Sequence, residues 1–404
     1  MIQLKLDMFQ TLALTVLLIW LGNYLRNKFP ILKKYCIPSA VVGGLLFSIL
    51  TCILFVNNIA SVSFDSKTTN TLFYCVFFAA SGAAAGLGLL KKGGKLILVF
   101  SILAAVTAFL QNVLAVGLGK ALSVKPLIAL MTGSIPMTGG HGNAASFAPI
   151  AEEMGAVGAV EVAIAAATFG LISGCIVGGP IGNFLVQRHG LKGSATAEEI
   201  AEMEKASQKN FIVNKDRSLK AVCLMFLACG FGSILFALLK KVLPGVSLPI
   251  HVLCMLGGLI IRNVYDMVIG EDEALYESID IVGEISLAMF VTMSIMTMKL
   301  WQLADLAIPM IILLFAQVVL MVIFAVFITY KFLGKDYDAA VMAVGHTGFG
   351  LGAVPVSMAT MKTVCDKYGY SKIAFFVVPV IGGLISNFTN AAIITYFLNL
   401  CNKL

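Results

Sequence analysis

The chain has 404 residues, of which 59% are hydrophobic and only 12% charged, and its formal net charge is +7. A water-soluble protein of this length has too little interior to hide so much apolar surface, so a soluble globular class is excluded. The surplus of Lys and Arg calls for no nucleic-acid partner, because loop cations that fix membrane topology account for it.

Ten apolar spans are predicted in chain order. The first half holds 8–25, 38–56, 71–90, 95–119 and 158–186, and the second holds 219–241, 249–266, 280–300, 305–333 and 371–400. Stretches such as Ala40–Val56 and Val380–Ile394 carry no charge, and several approach the roughly 20 residues that cross a bilayer. Met8–Leu25 is longer than the apolar core of a signal peptide. Arg26 and Lys28 stand where a cleavage site of small residues would be, so it reads as an uncleaved span. The nine cysteines lie mostly in apolar segments without a C-x-x-C pair, and they read as packing residues rather than disulfides or zinc ligands.

Between the fourth and fifth span of each half lies an extra glycine-rich piece, 126–150 and then 339–360, too broken for a plain spanning helix. The longest polar stretch, Gln187–Lys220, carries seven Lys or Arg residues and divides the chain. The organisation is therefore a first repeat over 1–186, a linker over 187–218 and a second repeat over 219–404. An excess of Lys and Arg marks the cytoplasmic side. With five spans before the linker, both termini are expected outside. The loops holding Arg26, Lys28, Lys33 and Lys34, and then Lys91, Lys92 and Lys95, then fall inside as well.

Sliding the sequence by 212 residues pairs Phe78 with Phe290, Gly133 with Gly345, Gly140 with Gly352 and Gly170 with Gly382; Pro38 meets Pro249 at 211. Five spans per half is an odd number, so two similar halves must sit in opposite orientations. Inverted repeats of this kind typify secondary transporters.

Unpaired backbone groups in hydrocarbon cost several kcal/mol each, so irregular chain at membrane depth must be buried in protein or line a watery cavity. The segment 133–145, GSIPMTGGHGNAA, and the segment 345–355, GHTGFGLGAVP, therefore read as the tips of re-entrant hairpins. Glycine lets the backbone approach a ligand closely, and a helix starting after the bend presents its positive end to an anion. The competing reading is that these glycines only allow tight helix packing.

These segments, with EVAIAAATFGLISGCIVGGP (161–180), LKKYCIPSAVVGGLL (32–46), MKLWQLADLAIPM (298–310) and GKDYDAAVMAVGHTGFGLGAVP (334–355), resemble the bacterial sodium:glutamate symporters over essentially the whole chain. The resemblance implies inward glutamate transport coupled to Na+, ten spans with two re-entrant hairpins, and a homodimer in which a substrate-carrying part slides against a scaffold. The chain departs from the pattern at Pro136, Met137, Thr138 and Asn143, at Thr347 where the family has Cys, at Asn387 where it has Asp, and at Glu284 where it has Asn.

Short donors and acceptors at Ser134, Thr138, Asn143 and Thr347 suit the α-amino and carboxylate groups of an amino acid, or cap the broken backbone. With them stand Gly139, Gly140, His141 and Gly142 of the first tip, and His346, Gly348, Gly350 and Gly352 of the second. Each histidine is either a substrate or proton contact or a satisfied hydrogen bonder. Sodium candidates are the amides Gln111, Asn112, Asn387 and Asn390 and the acids Glu161 and Asp338. The amides could instead bond between helices, and the acids could cap helix N-termini.

The expected function is Na+-coupled import of L-glutamate across the bacterial inner membrane by alternating access, with Na+ as coupling ion and no cofactor. A carrier for another carboxylate or amino acid, or an ion channel built on paired loops, is the alternative. No nucleophile–base pair stands within sequence reach, so no enzyme is expected.

Overall fold

The computed structural model describes residues 1–35, 37–84, 94–193, 214–242, 249–301 and 307–403. Nine helices among them are long and apolar enough to cross a membrane. They are α1 (Met8–Lys28), α2 (Ser39–Val56), α4 (Gly94–Ala121), α7 (Ala159–His189), α8 (Lys215–Val242), α9 (Ile250–Val268), α10 (Glu273–Met296), α11 (Ala307–Phe332) and α14 (Lys372–Cys401). The expected span 71–90 coincides with α3 (Lys67–Ala83), a 17-residue helix; its last six expected residues, with Lys91 and Lys92, lie outside the described residues. Most of the expected linker, 194–213, lies outside them too. Each glycine-rich piece forms two shorter helices, α5 (Pro126–Leu130) with α6 (Gly140–Glu153), and α12 (Tyr337–Leu351) with α13 (Val354–Tyr368).

Local chemistry sets these boundaries. Asp7 and Gln10 close a capping box at the start of α1, with Gln10 N donating to Asp7 Oδ1 at 2.9 Å and Asp7 N to Gln10 Oε1 at 3.1 Å. Asp272, Asp336 and Ser371 cap α10, α12 and α14 by accepting from the backbone three residues on. Pro38 and Pro249 hold the N-cap positions of α2 and α9 with nearly equal backbone angles, φ −64° and −70°. Two helices change register inside the array: α11 has a π-turn at Phe324–Thr329 and α14 has one at Val380–Ile385.

One short strand pair accompanies the helices. β1 (Ile2–Leu6) pairs in parallel with β2 (Ala60–Phe64), Ile2 opposite Ala60 and Leu6 opposite Phe64. Parallel strands need a long crossover, and here the antiparallel pair α1–α2 supplies it. Its two crossings return the chain to the end where it began.

Other contacts place further loops at common ends. At the end carrying the strands, Lys67 pairs with Glu153 at 3.2 Å, and Lys299 N donates to Glu161 Oε1 at 2.7 Å. At the opposite end, Gly193 N donates to Tyr368 O at 3.1 Å, and the His189 and Tyr330 rings lie 5.0 Å apart.

The helices pack in two groups. One holds α1, α2, α3, α8, α9 and α10, and the other holds α4, α7, α11, α14 and the two broken pieces. Small residues bring the backbones of the first group into contact. A Cβ on Gly82 would fall 1.9 Å from the Met255 carbonyl oxygen, and one on Gly258 1.9 Å from that of Ala79. An apolar layer joins the groups, with Phe78, Met255 and Phe290 on one side and Leu130, Phe147 and Phe397 on the other.

Candidate functional site

Pro126 opens α5, where its missing N–H costs nothing in the first helical turn. After Leu130 the chain runs through turns over 131–139, and α6 begins at Gly140 with φ +60°, which glycine adopts without strain. The second break is shorter. α12 ends at Leu351, Gly352 and Ala353 leave helical geometry with φ −155° and −167°, and α13 begins at Val354.

The breaks touch. A Cβ on Gly140 would stand 2.8 Å from the carbonyl oxygen of Gly352. α7 closes the same point, since a Cβ on Gly170 would come within 2.0 Å of the Leu351 carbonyl oxygen. α6 and α13 both start here, so the positive ends of two helices face one spot. Neither 131–149 nor 345–355 contains a charged side chain.

Amides on the crossing helices tie the breaks together. Gln111 of α4 donates through Nε2 to the Gly350 carbonyl at 2.7 Å and accepts at Oε1 from the Thr138 hydroxyl at 2.6 Å, so one side chain grips both pieces. Gln317 of α11 donates to the backbone oxygen of Gln111 at 2.8 Å. Asn112 Oδ1 accepts from Ser134 N at 2.7 Å, and Asn390 Nδ2 donates to Ser134 O at 3.0 Å. His141 Nε2 lies 3.0 Å from the hydroxyl of Thr168, which itself donates to Ile164 O at 3.0 Å. The ring nitrogen is then the donor to Thr168.

Around this network several buried polar atoms have no hydrogen-bond partner: Asn112 Nδ2, Ser134 Oγ, Asn143 Nδ2, Gln317 Oε1 and Asn390 Oδ1. Each orphan costs about 1–3 kcal/mol, and such groups in a native interior call for an explanation. A polar ligand that these atoms complete is one.

Nine of the twelve sequence-predicted substrate residues lie at or beside the breaks: Ser134, Thr138, Gly139, Gly140, His141, Gly142, Asn143, Gly350 and Gly352. The other three have structural surroundings. His346 sits about 9 Å from Gly352 along α12 at 1.5 Å per residue. Its Nδ1 is 2.8 Å from Thr329 Oγ1, and the rings of Phe100, Phe324 and Phe349 surround it. Thr347 donates back to Ala343 O at 3.0 Å, and Gly348 lets α13 pack on α12, since a Cβ there would stand 2.5 Å from the backbone of Ser357.

Of the sodium candidates, Gln111, Asn112 and Asn390 are at the breaks. Asn387 turns toward α3, donating to Ser81 Oγ at 2.8 Å. Asp338 accepts from the Ser371 hydroxyl at 2.5 Å at the far end of α12. Glu161 is 4% exposed at the start of α7, with Oε2 unpartnered. Nearby, burial pushes the Glu152 carboxyl above its ordinary range, and the Glu161 charge adds to that. Sequence reasoning missed Gln317 and Thr168. The available signal for Gln317 was a lone amide within the otherwise apolar Ala307–Ile323.

Comparison with known proteins identifies the lineage. Residues 4–370 match the family model of the sodium/glutamate symporters. The chain belongs to the sodium/glutamate symporter family. It is 38% identical over 390 residues to the sodium/glutamate symporter of Haemophilus influenzae, covering 96% of each chain. It is 35% identical over 399 residues to that of Escherichia coli strain K12, covering 98% of each. Three departures from the sodium/glutamate symporter pattern stand clear of the touching breaks: Thr347 and Asn387 in the surroundings just given, and Glu284 exposed on α10. The other four lie at the first break, Pro136, Met137 and Thr138 in its turns and Asn143 in the first turn of α6.

Proposed function

We propose that this protein is a secondary symporter that imports L-glutamate together with Na+ and holds both where the two breaks meet. The observation that carries the reading is the contact between Gly140 and Gly352. It sets two helix N-termini and the unpartnered amide of Asn143 at one buried, uncharged spot, which suits a carboxylate brought in from water. His141, Thr138, Asn143 and the amide of Gly142 contact the substrate, and Gly139 and Gly140, whose own N–H groups bond to Ser134 O and Pro136 O, let the backbone come close to it. Membership in the sodium/glutamate symporter family supports the choice of substrate and ion.

The architecture in this reading is ten spans in two inverted repeats, with α5–α6 and α12–α13 as re-entrant hairpins entering from opposite sides. Gly140 and Gly352 are equivalent at the offset of 212, and equivalent points that touch are what an axis of twofold pseudosymmetry produces. The paired caps at Pro38 and Pro249 support it, as does matched packing: α1 on α2 as α8 on α9, and α2 on α10 as α9 on α3. The first packing group serves as scaffold in a homodimer, and the second carries the substrate across as an elevator. In the bacterial inner membrane both termini lie outside, and 187–218 lies in the cytoplasm.

Coupling has an electrostatic cause. Glutamate bears one net negative charge, and an inside-negative potential opposes its entry by about 2.3 kcal/mol per 100 mV. One Na+ cancels that charge, and any further cation turns the potential into a driving force. Purified protein in liposomes is expected to accumulate labelled L-glutamate under an inward Na+ gradient. Uptake driven by a proton gradient and indifferent to Na+ would reject the reading.

A further inference from the structure

Three chain segments meet at Ser134. Asn112 of α4 accepts from its N–H, Asn390 of α14 donates to its carbonyl, and the three side chains are 0%, 0% and 1% exposed in the order Asn112, Ser134, Asn390. Each holds its place through one polar atom or through the backbone and leaves another without a partner. Asn112 keeps a free Nδ2 donor, Ser134 a free hydroxyl and Asn390 a free Oδ1 acceptor. Close packing adds to this arrangement, since a Cβ on Gly133 would lie 2.3 Å from Asn112 Oδ1. The amide is pressed against the break with no room to swing away.

Resting on the symporter reading, we infer that these three residues form a composite site in which one Na+ and a substrate carboxylate complete each other. Ser134 Oγ and Asn390 Oδ1 are the hard oxygen ligands that a small cation selects. Asn112 Nδ2 donates to the carboxylate, and a carboxylate oxygen supplies a further ligand to Na+. No acidic side chain belongs to the trio, so the cage itself offers no countercharge. A bare cation there would carry the full cost of burial, and a bare carboxylate likewise. Each ion lowers the cost of the other, and by linkage each raises the affinity of the other by the same factor. Coupling follows from a cage that is neutral until both ligands are in it.

The test uses purified full-length protein in liposomes and compares wild type, Ser134→Ala, Asn112→Ala and Asn390→Asp. Ser134 Oγ has no partner to lose, so Ser134→Ala removes a ligand without breaking a hydrogen bond. It is expected to raise the half-saturating Na+ for glutamate uptake about tenfold, the loss of about 1.4 kcal/mol. The glutamate KM measured at saturating Na+ is expected to change less than about threefold, under 1 kcal/mol. Asn112→Ala is expected to show the reverse split. Asn390→Asp puts the missing negative charge into the cage, so Na+ alone, without glutamate, is expected to raise its melting temperature where it leaves wild type unchanged. Wild-type Na+ half-saturation in Ser134→Ala, or no Na+-only stabilisation of Asn390→Asp, overturns the site while Na+-dependent wild-type uptake keeps the symporter reading. Wild-type uptake unaffected when choline replaces Na+ overturns both.

Discussion

Gly140 and Gly352 stand so close that a side chain on the first would press its Cβ to 2.8 Å from the carbonyl oxygen of the second. Residues 212 positions apart, in stretches of similar composition, thus share one point of the interior. Neither the turns over 131–139 nor the bend at 352–353 could stand exposed in hydrocarbon, because the Ser134 N–H and the Gly350 carbonyl take their partners from side chains of α4. Placed against each other and crossed by α4 and α14, they find such partners in Gln111, Asn112 and Asn390.

Gly140→Ala is expected to lower glutamate uptake at least about tenfold. The positive φ costs a non-glycine residue roughly 1–2 kcal/mol, and the added methyl also separates the breaks. Gly117→Ala in α4, where a Cβ meets nothing within 4 Å, is the matched control and is expected to keep wild-type uptake. Initial-rate measurements on the two reconstituted variants check this.

Gln111→Ala removes the side chain that joins Thr138 to Gly350. It leaves one carbonyl and one hydroxyl unpaired in the interior, at about 1–3 kcal/mol for each. Thermal unfolding in detergent is expected to show a clearly lower midpoint. Gln317→Leu, which strips a single donor from the Gln111 carbonyl, is expected to show a smaller drop.

His141 and His346 are expected to respond differently. His141→Ala loses the contact with Thr168 beside the break and is expected to raise the glutamate KM. His346→Ala empties a space walled by Phe100, Phe324 and Phe349 and is expected to lower stability with KM unchanged. Large-to-small changes at buried aromatic-sized sites cost about 3–5 kcal/mol. Side-by-side KM and melting measurements separate the two roles.

Glu152 offers a pH test at the end of the molecule that carries the strands. Burial raises its carboxyl from 4.5, with the Glu161 charge adding to the shift. A raised folded value means the neutral acid is favoured in the folded state, so that contribution is complete below 4.5 and is lost as pH climbs through the folded value. Glu152→Gln stays neutral throughout. Its melting point is expected to exceed wild type at pH 8 and to converge with it near pH 4. Melting curves across that range check the sign.

Most of the spans could be read from the sequence because uncharged apolar runs near bilayer length have few other uses. The strands at Ile2–Leu6 and Ala60–Phe64 could not, since five residues of mixed character acquire meaning only when α1 and α2 return the chain to its starting end. The π-turn in α11 is equally silent, because nothing in Phe324–Thr329 departs from an apolar helical run, whereas Pro379 and the pair Gly382–Gly383 offered a signal for the one in α14. The breaks were legible through glycine, proline and the absence of charge. Which polar residues face them was only half legible, since that depends on helix rotation. Asn390 and Asn387 lie three residues apart on α14, yet one reaches Ser134 and the other Ser81. His141 and His346 look equivalent in sequence, but one stands at its break and the other a turn and a half away within an aromatic wall.

Electron cryomicroscopy of the purified protein with glutamate and Na+ tests most directly whether the paired breaks hold the substrate. Density for a carboxylate is expected between the first turns of α6 and α13, within hydrogen-bond reach of Asn112 and Asn143, with Gly140 and Gly352 still adjacent. Glutamate density elsewhere in the molecule, or the two breaks lying apart with glutamate bound, would contradict it.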